Sequence, residues 1–423
     1  MNLPERIYMV GIGGIGMSAL AQLLLTRGHA VSGSDREESP TTALLQRLGI
    51  RVFVGHDAAF MPTDTELLIY SDAVPAESPE RMKAHDLKIR QISYFEMLGS
   101  ISQSMRTIAV AGTHGKTTVT GMLTAILKAA GKEPTAIVGS IVRDFGSNFL
   151  PGRKDLFVVE ACEYRDHLLE LSPQILVITN IELDHTDFFP SLVALQSTFR
   201  EAVRRVPQDG VIVTNPNDPN VAVVLEKAHT EIFDYTIEEV PTLGLIGEFN
   251  AMNARAAKCA AKAAFPDISD DVIDTALKDF KGAWRRFEYK GETLNGATVY
   301  DDYAHHPTAV TKTIAAARER FPGKRIVVAF HPHLHSRTET FLHEFAQALD
   351  SADRAIVAPI YEARTETTHT VSNHSLAEAG NHVEAMDSFE EIREALLQEG
   401  KDALIITMGA GDIYKVAEQI TEQ

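Results

Sequence analysis

The sequence predicts an α/β protein of three successive units, each a mostly parallel sheet with helices on both faces. Three observations predict it. Short Val/Ile/Leu runs alternate with helix-period segments along the chain, as expected for strands buried on both sides of a parallel sheet. Two glycine turns, GIGGIG at Gly11 to Gly16 and AGTHGKTT at Ala111 to Thr118, each follow an apolar run and precede a helix pattern. The chain has 423 residues, against roughly 150 for a typical domain.

Composition narrows the function class. Apolar residues make up 44% of the chain, with 27 Gly and 18 Pro, yet no stretch approaches the roughly 20 apolar residues that span a bilayer. Pro4, Glu5 and Arg6 lead into a strand rather than an export signal, so the expectation is a cytoplasmic protein with no membrane partner. Cys162 and Cys259 cannot support a disulfide framework, and Cys162 reads as a small buried residue. A formal charge of −18 disfavours nucleic acid, whose phosphates require clustered Lys and Arg.

The first unit opens with a strand at Ile7 to Val10, the turn GIGGIG, a helix from about Met17 to Thr26 and a second strand ending near Asp35. Gly11, Gly13 and Gly16 fit the dinucleotide fingerprint, and Asp35 stands where a carboxylate holds a ribose hydroxyl. Alone this suggests NAD. The unit ends near Gln103, however, too short for two mononucleotide halves, so a diphosphate-linked nucleoside such as a UDP-sugar fits better. Gly13, Gly14, Ile15, Gly16 and Asp35 are its expected contacts, with Ser71 from the turn after the strand Leu67 to Tyr70.

The second unit, residues 104–286, begins with the run Ile108 to Val110 and the AGTHGKTT turn. Backbone N–H groups of such a loop cradle a triphosphate, a lysine neutralises the β/γ charge and a following threonine ligates Mg²⁺. Gly112, Thr113, His114, Gly115, Lys116, Thr117 and Thr118 are therefore the expected ATP loop. Only two residues separate Gly112 from Gly115-Lys116, against four in the common loop. A helix is expected from Val119 to Ala130, with further strands at Leu156 to Val159, Ile175 to Thr179 and Val211 to Thr214 and helices in the gaps. Glu160 and His185 follow two strand ends, which suggests a second divalent-ion site. Mg²⁺ prefers oxygen, so a histidine ligand makes Mn²⁺ an acceptable substitute. Asn250 and Asn253 share one helical face, with donors and acceptors that suit an adenine edge.

The third unit, residues 287–423, starts after Arg285-Arg286. Strands are expected at Thr298 to Tyr300, Arg325 to Phe330, Ala355 to Pro359 and Ala403 to Met408, and helices near Pro307 to Arg320, Glu339 to Ser351, Phe389 to Gln398 and Ile413 to Ile420. Residues 362–375 are polar enough to form a mobile loop. DDYAHHP at Asp301 to Pro307 and HPHLHSRT at His331 to Thr338 follow strands. Such a cluster of histidines suggests zinc, or an anion site in the absence of nearby cysteine. Arg337 is able to receive a substrate carboxylate in bidentate fashion.

In order, AGTHGKTT, VEACEY, NIELDH, GEFNAMNA, WRRFE, DDYAHHP, FHPHLHSRT and MGAGD resemble the Mur ligases of peptidoglycan synthesis across the chain. The resemblance implies a Rossmann-like N-terminal domain (1–103) for the UDP-sugar, a central P-loop ATPase domain (104–286) and a Rossmann-like C-terminal domain (287–423) for the amino acid. It further implies that Lys116 is a phosphate clamp, that Thr117, Glu160 and His185 are metal ligands, and that Asn250, Asn253, Arg285 or Arg286 and Asp302 contact the nucleotide. His305 and Arg337 match positions around the amino acid and the reacting carboxylate.

Two departures bear on the branch. Phe249 stands where many members have His, and Leu334 where some have Arg. Leu195 to Arg204 lacks the lysine that other branches carbamylate, which agrees with the branch that adds L-alanine to UDP-N-acetylmuramate. ATP-driven activation of a carboxylate as an acyl phosphate is the implied chemistry, by a monomer or homodimer. A tripeptide-recycling ligase, an NAD-dependent oxidoreductase and a nucleotide-dependent switch are the alternatives.

Overall fold

In the computed structural model, residues 3–362, 366 and 370–421 are described. They form three sheets in two compact units. The first unit comprises Met1–Ile181, Gln196–Pro241 and Ala254–Phe280, and the second Glu182–Leu195, Thr242–Asn253 and Lys281–Gln423.

The first sheet holds β1 (Arg6–Val10), β2 (Ala30–Asp35), β3 (Arg51–Val54), β4 (Leu67–Tyr70) and β5 (Arg90–Ser93) in the order β3-β2-β1-β4-β5, all parallel. Strand order reverses between β1 and β4, and ligands of open α/β sheets bind outside the strand C-termini at such a switch point. GIGGIG and Ser71 stand at those two ends, and the helix Ile15–Thr26 starts two residues before its expected position. The second mononucleotide half is incomplete, with two strands in place of three, in keeping with the short unit.

The second sheet contains β6 (Arg106–Ala111), β7 (Thr135–Val142), β8 (Ser147–Leu150), β9 (Leu156–Glu160), β10 (Ile175–Ile178), β11 (Val211–Thr214) and β12 (Glu231–Asp234). Their order is β12-β11-β10-β6-β9-β7-β8, with only β7 and β8 antiparallel. Ile108 to Ala111 is fully buried, as befits the middle strand of a sheet covered on both faces. The expectation of a helix in every gap between the expected strands fails once, between β9 and β10, and the hairpin strands β7 and β8 were not expected. A hairpin joins β7 to β8, and between β9 and β10 runs a 3₁₀ segment, Tyr164–Glu170, in which Arg165 and Asp166 adopt left-handed φ of 51° and 61°. Its chain is too short and too irregular for an α-helix.

The third sheet contains β13 (Glu288–Glu292), β14 (Thr298–Asp302), β15 (Arg325–Phe330), β16 (Arg354–Val357), β17 (Val383–Ala385) and β18 (Ala403–Met408), in the order β13-β14-β18-β15-β16-β17. Ile326, Val328 and Phe330 enter one core cluster and Val327 and Ala329 the other, the period-2 alternation of a strand with helices on both sides. Edge strands β13 and β17 escaped the sequence reading because their partly exposed polar residues lack an apolar run. The expected helix 339–351 is two, His335–Thr340 and Leu342–Leu349. Of the polar stretch 362–375, residues 363–365 and 367–369 lie outside the described residues, while Asn373–Ala379 is a helix capped by Ser372. No helix among the described residues is long and apolar enough to cross a membrane.

Candidate active site

The shortened phosphate loop is tied down by the end of β10. The N–H of Thr113 donates to the Asn180 carbonyl and that of His114 to Asn180 Oδ1, both at 3.0 Å, while Thr179 Oγ1 donates to the His114 carbonyl at 2.6 Å. Gly112 adopts φ 121°, and a Cβ there would lie 2.1 Å from Thr179 Oγ1. Both facts demand glycine. Gly112→Ala is therefore expected to abolish detectable ATP binding by titration calorimetry, and an unchanged affinity would show that the tether does not shape the loop. Gly115, at φ 86°, is the last residue before the helix Lys116–Ala129. That helix begins three residues earlier than expected, so Lys116 and Thr117 lie in its first turn, where N–H groups point at anions.

Lys116 Nζ donates to the carbonyls of Gly112 (2.6 Å) and Thr113 (3.2 Å) and to both carboxylate oxygens of buried Glu163 at 3.0 Å. Burial pulls its ammonium pKa down, but the charges of Glu163, Cys162 and Glu160 outweigh this and raise it above the ordinary value. The lysine stays cationic. Cys162 is half-buried, and its thiol is pushed up to about 12, chiefly by burial and then by Glu163. It is expected to resist iodoacetamide at pH 7.5, since the thiolate is the nucleophile; rapid alkylation in the folded protein, followed by mass spectrometry, would contradict this.

At the end of β9, next to β6, Glu160 Oε1 accepts from Thr117 Oγ1 at 3.0 Å and Oε2 accepts from the Gly139 N–H at 2.7 Å. A Cβ at Gly139 would come within 2.5 Å of Glu160. Two oxygen donors, one of them charged, suit Mg²⁺. His185 belongs to the second unit, at φ 51°, and its N–H donates to Asp184 Oδ1 at 2.6 Å.

Around the first sheet, Gly11 and Ser71 approach closely: a Cβ at Gly11 would lie 3.0 Å from Ser71 Cβ. Asp35 does not extend into open space. Its Oδ2 accepts from the Gly13 N–H at 2.7 Å, and Thr41 Oγ1 donates to the Gly13 carbonyl. The carboxylate therefore braces the turn, because Gly13 leaves no side chain between them. Gly16 is covered by the ring of Tyr94.

In the second unit, Arg285 is buried and each of its three guanidinium nitrogens has a protein partner. Nε meets Asp301 Oδ2 at 2.8 Å, and the two terminal nitrogens meet the carbonyls of Gly411 (2.8 Å) and Gly409 (2.5 Å). Arg285 thus anchors the loop after β18, and of the expected pair Arg286 is the half-buried member, its guanidinium 5.0 Å from the Tyr303 ring centroid. Asp302 accepts from the N–H groups of Phe287 and Ala304, both at 2.7 Å, and burial raises its pKa to about 6 against the opposing charge of Arg286. Asn250 Nδ2 donates to the Ile246 carbonyl at 2.8 Å and Asn253 Nδ2 to Asn250 Oδ1 at 3.3 Å, so the two amides do share a face.

Arg337 is buried against Asp184. Its Nε and one terminal nitrogen donate to Asp184 Oδ1 at 2.9 and 2.6 Å, and the other terminal nitrogen to His333 Nδ1 at 2.9 Å. The edge expected to fork a substrate carboxylate holds a protein carboxylate, because burying the cation requires a countercharge. Against the cost of burial, Arg337 and then His185, His305 and His306 hold the Asp184 carboxyl well below its usual range. His305 Nδ1 donates to the Tyr303 carbonyl at 2.8 Å. A carbonyl only accepts, so Nε2 carries the lone pair. Burial and the Arg337 charge lower the His305 pKa well below 6.5, leaving the ring neutral. Among the described residues, His331, His333 and His335 form no shared ligand set; His333 serves Arg337 and His335 Nδ1 bonds the Val371 carbonyl.

Glu163, Asn180 and Asp184 carry much of this geometry, yet sequence reasoning assigned them no role. All three lie inside quoted motifs, VEACEY and NIELDH, and a polar residue ending a buried strand was the available signal.

Comparison with known proteins supports a family. Residues 6–106 match the model described as Mur ligase family, catalytic domain; residues 110–242 match the Mur ligase middle domain; and residues 285–411 match the Mur ligase, glutamate ligase domain. The chain is 36% identical to UDP-N-acetylmuramate--L-alanine ligase of Clostridium novyi (strain NT), over 99% of this chain and 97% of that protein. Identity is also 36% to the protein of the same name from Caldicellulosiruptor bescii, over 99% of each. Among solved structures, a UDP-N-acetylmuramate-alanine ligase from Thermotoga maritima superposes with a TM-score of 0.81 at 28% identity, covering 99% of this chain and 98% of that one. A murein peptide ligase from Psychrobacter arcticus, at 24% identity and a TM-score of 0.75, shares the fold over 99% and 98% of the two chains. Matched by three family models and by relatives over nearly its whole length, the chain belongs to the Mur ligase family.

Proposed function

We propose that this protein joins L-alanine to the lactyl carboxylate of UDP-N-acetylmuramate, consuming ATP with Mg²⁺ and releasing ADP and phosphate, in the cytoplasm. The observation that carries the chemistry is the pairing of Lys116 with the glycine loop and of Thr117 with Glu160 at adjacent strand ends; the full-length likeness to ligases of that name carries the substrates.

A carboxylate repels an incoming amine and offers no leaving group, so it must first be phosphorylated. Lys116 offsets the repulsion between the carboxylate and the γ-phosphate and stabilises charge on the transferring phosphoryl group. Thr117 and Glu160 would hold Mg²⁺, with His185 as the further ligand that the family resemblance implies; the ion would neutralise phosphate charge, and Mn²⁺ would be able to replace it. Asn250, Asn253 and Arg286 receive the nucleotide, and Asp302 orders the turn that carries Phe287. Neutral alanine amine then attacks the acyl carbon; as the C–N bond forms, the C–O bond to phosphate breaks and phosphate leaves, while His305 Nε2, deprotonated and uncharged, accepts the amine proton. Arg337 acts by fixing Asp184 and His333 around that histidine.

The test is phosphate release from ATP and Mg²⁺ with UDP-N-acetylmuramate, comparing L-alanine, glycine, L-serine and the L-Ala-D-Glu-diamino-acid tripeptide. Release strongest with L-alanine, matched by equal UDP-muramoyl-alanine in mass spectrometry, is expected. Stimulation by the tripeptide alone would reassign the acceptor, and no stimulation by any acceptor would remove the ligase reading.

A further inference from the structure

Tyr94 opens the helix Tyr94–Ser102, one residue after Ser93, whose capping box with Glu96 fixes the entry of that helix. Its ring lies over Gly16: a Cβ there would stand 2.6 Å from the phenol carbon and 2.6 Å from the hydroxyl oxygen. Gly16, the last glycine of the GIGGIG turn, is therefore required by this ring. The ring also has an aromatic neighbour. Phe95 meets it edge-on at 4.8 Å, and the Phe95 ring stacks on His167 at 3.5 Å and 10°. His167 Nε2 in turn lies 2.5 Å from Asp72 Oδ2, next to Ser71 on the loop at the switch point. A stack pinned at both ends places the phenol without help from a ligand.

The hydroxyl makes no hydrogen bond among the described residues, and it is near enough to Glu160 and Cys162 to be influenced by both. Burial, and then those two charges, push its ionisation upward, so the group remains a donor throughout the working range of pH. A neutral donor thus lies against the GIGGIG turn and within electrostatic reach of Glu160.

We infer that Tyr94 orients the UDP-linked substrate, its phenol donating a hydrogen bond to an anionic oxygen held between the Gly11–Gly16 turn and Glu160. This rests on the ligase reading above. The acceptor is a diphosphate oxygen if the phenol serves the turn, or the lactyl carboxylate if it serves the reacting end. A phenyl ring fills the same space without the donor, so Tyr94→Phe separates this role from packing.

The experiment is titration calorimetry of parent and Tyr94→Phe with UDP, UDP-N-acetylglucosamine and UDP-N-acetylmuramate, without ATP, alongside the melting temperature of each protein. The Kd is expected to rise about tenfold, equivalent to about 1.4 kcal/mol, with melting unchanged. A rise for all three ligands identifies the diphosphate, and a rise for UDP-N-acetylmuramate alone identifies the carboxylate; either supports the role. Unchanged Kd for all three in a variant that melts like the parent overturns it. Failure of the parent itself to bind any of them overturns the ligase reading instead.

Discussion

Lys116→Ala is expected to lose at least about 10²-fold in turnover while its affinity for UDP-N-acetylmuramate stays within about twofold of the parent. The ammonium contributes mainly when negative charge gathers on the transferring phosphoryl group, so its loss is felt in the transition state more than in sugar binding. The structure adds a second consequence. Glu163 is buried against Lys116, and alanine leaves that carboxylate without its countercharge, so the variant is also expected to melt earlier. Lys116→Ala combined with Glu163→Gln should recover melting temperature but not turnover. Recovery of turnover in the double variant would show that Lys116 acts only by neutralising Glu163.

Asp184→Ala is expected to cost about 3–5 kcal/mol of stability, because Arg337 would remain buried as an unpaired cation. For a unit of this size, that is a fall of roughly 10 °C in melting temperature. The pH dependence has a definite sign. The folded carboxyl lies well below its ordinary value, so its stabilisation is fully present above an unfolded pKa of about 3.9 and is lost as pH falls through the folded value. The difference in melting temperature between parent and variant should therefore be constant from pH 7 to about pH 5 and shrink below about pH 4. A difference that instead grows on acidification in differential scanning calorimetry would place the ionised carboxylate outside the stabilising pair.

Much of the fold was legible because its signals are local. The run Ile108 to Val110 followed by AGTHGKTT specifies strand, turn and helix within a few residues, since only glycine accepts the conformations at Gly112 and Gly115. The helix Pro307–Arg320 and the strands Arg325–Phe330 and Ala403–Met408 were bounded correctly because their periodicity is unbroken. Strands β13 and β17 were missed because edge strands need no continuous apolar run, and the bond from the Gly13 N–H to the Asp35 carboxylate was not legible because it depends on how the folded turn meets the end of β2.

The sequence alone therefore determined the class of fold, the order of the three sheets and the kind of phosphate loop, since period, glycine position and strand-to-turn spacing are properties of short segments. Tertiary structure decided the partners of the charged groups. Arg337 meets Asp184 across 153 residues, Arg285 reaches Gly409 across 124, and Lys116 meets Glu163 across 47. Each pairing joins segments far apart in sequence, as when Lys116 and Glu163 follow the neighbouring strands β6 and β9, and a buried ion pair forms only where the fold brings both charges out of water together.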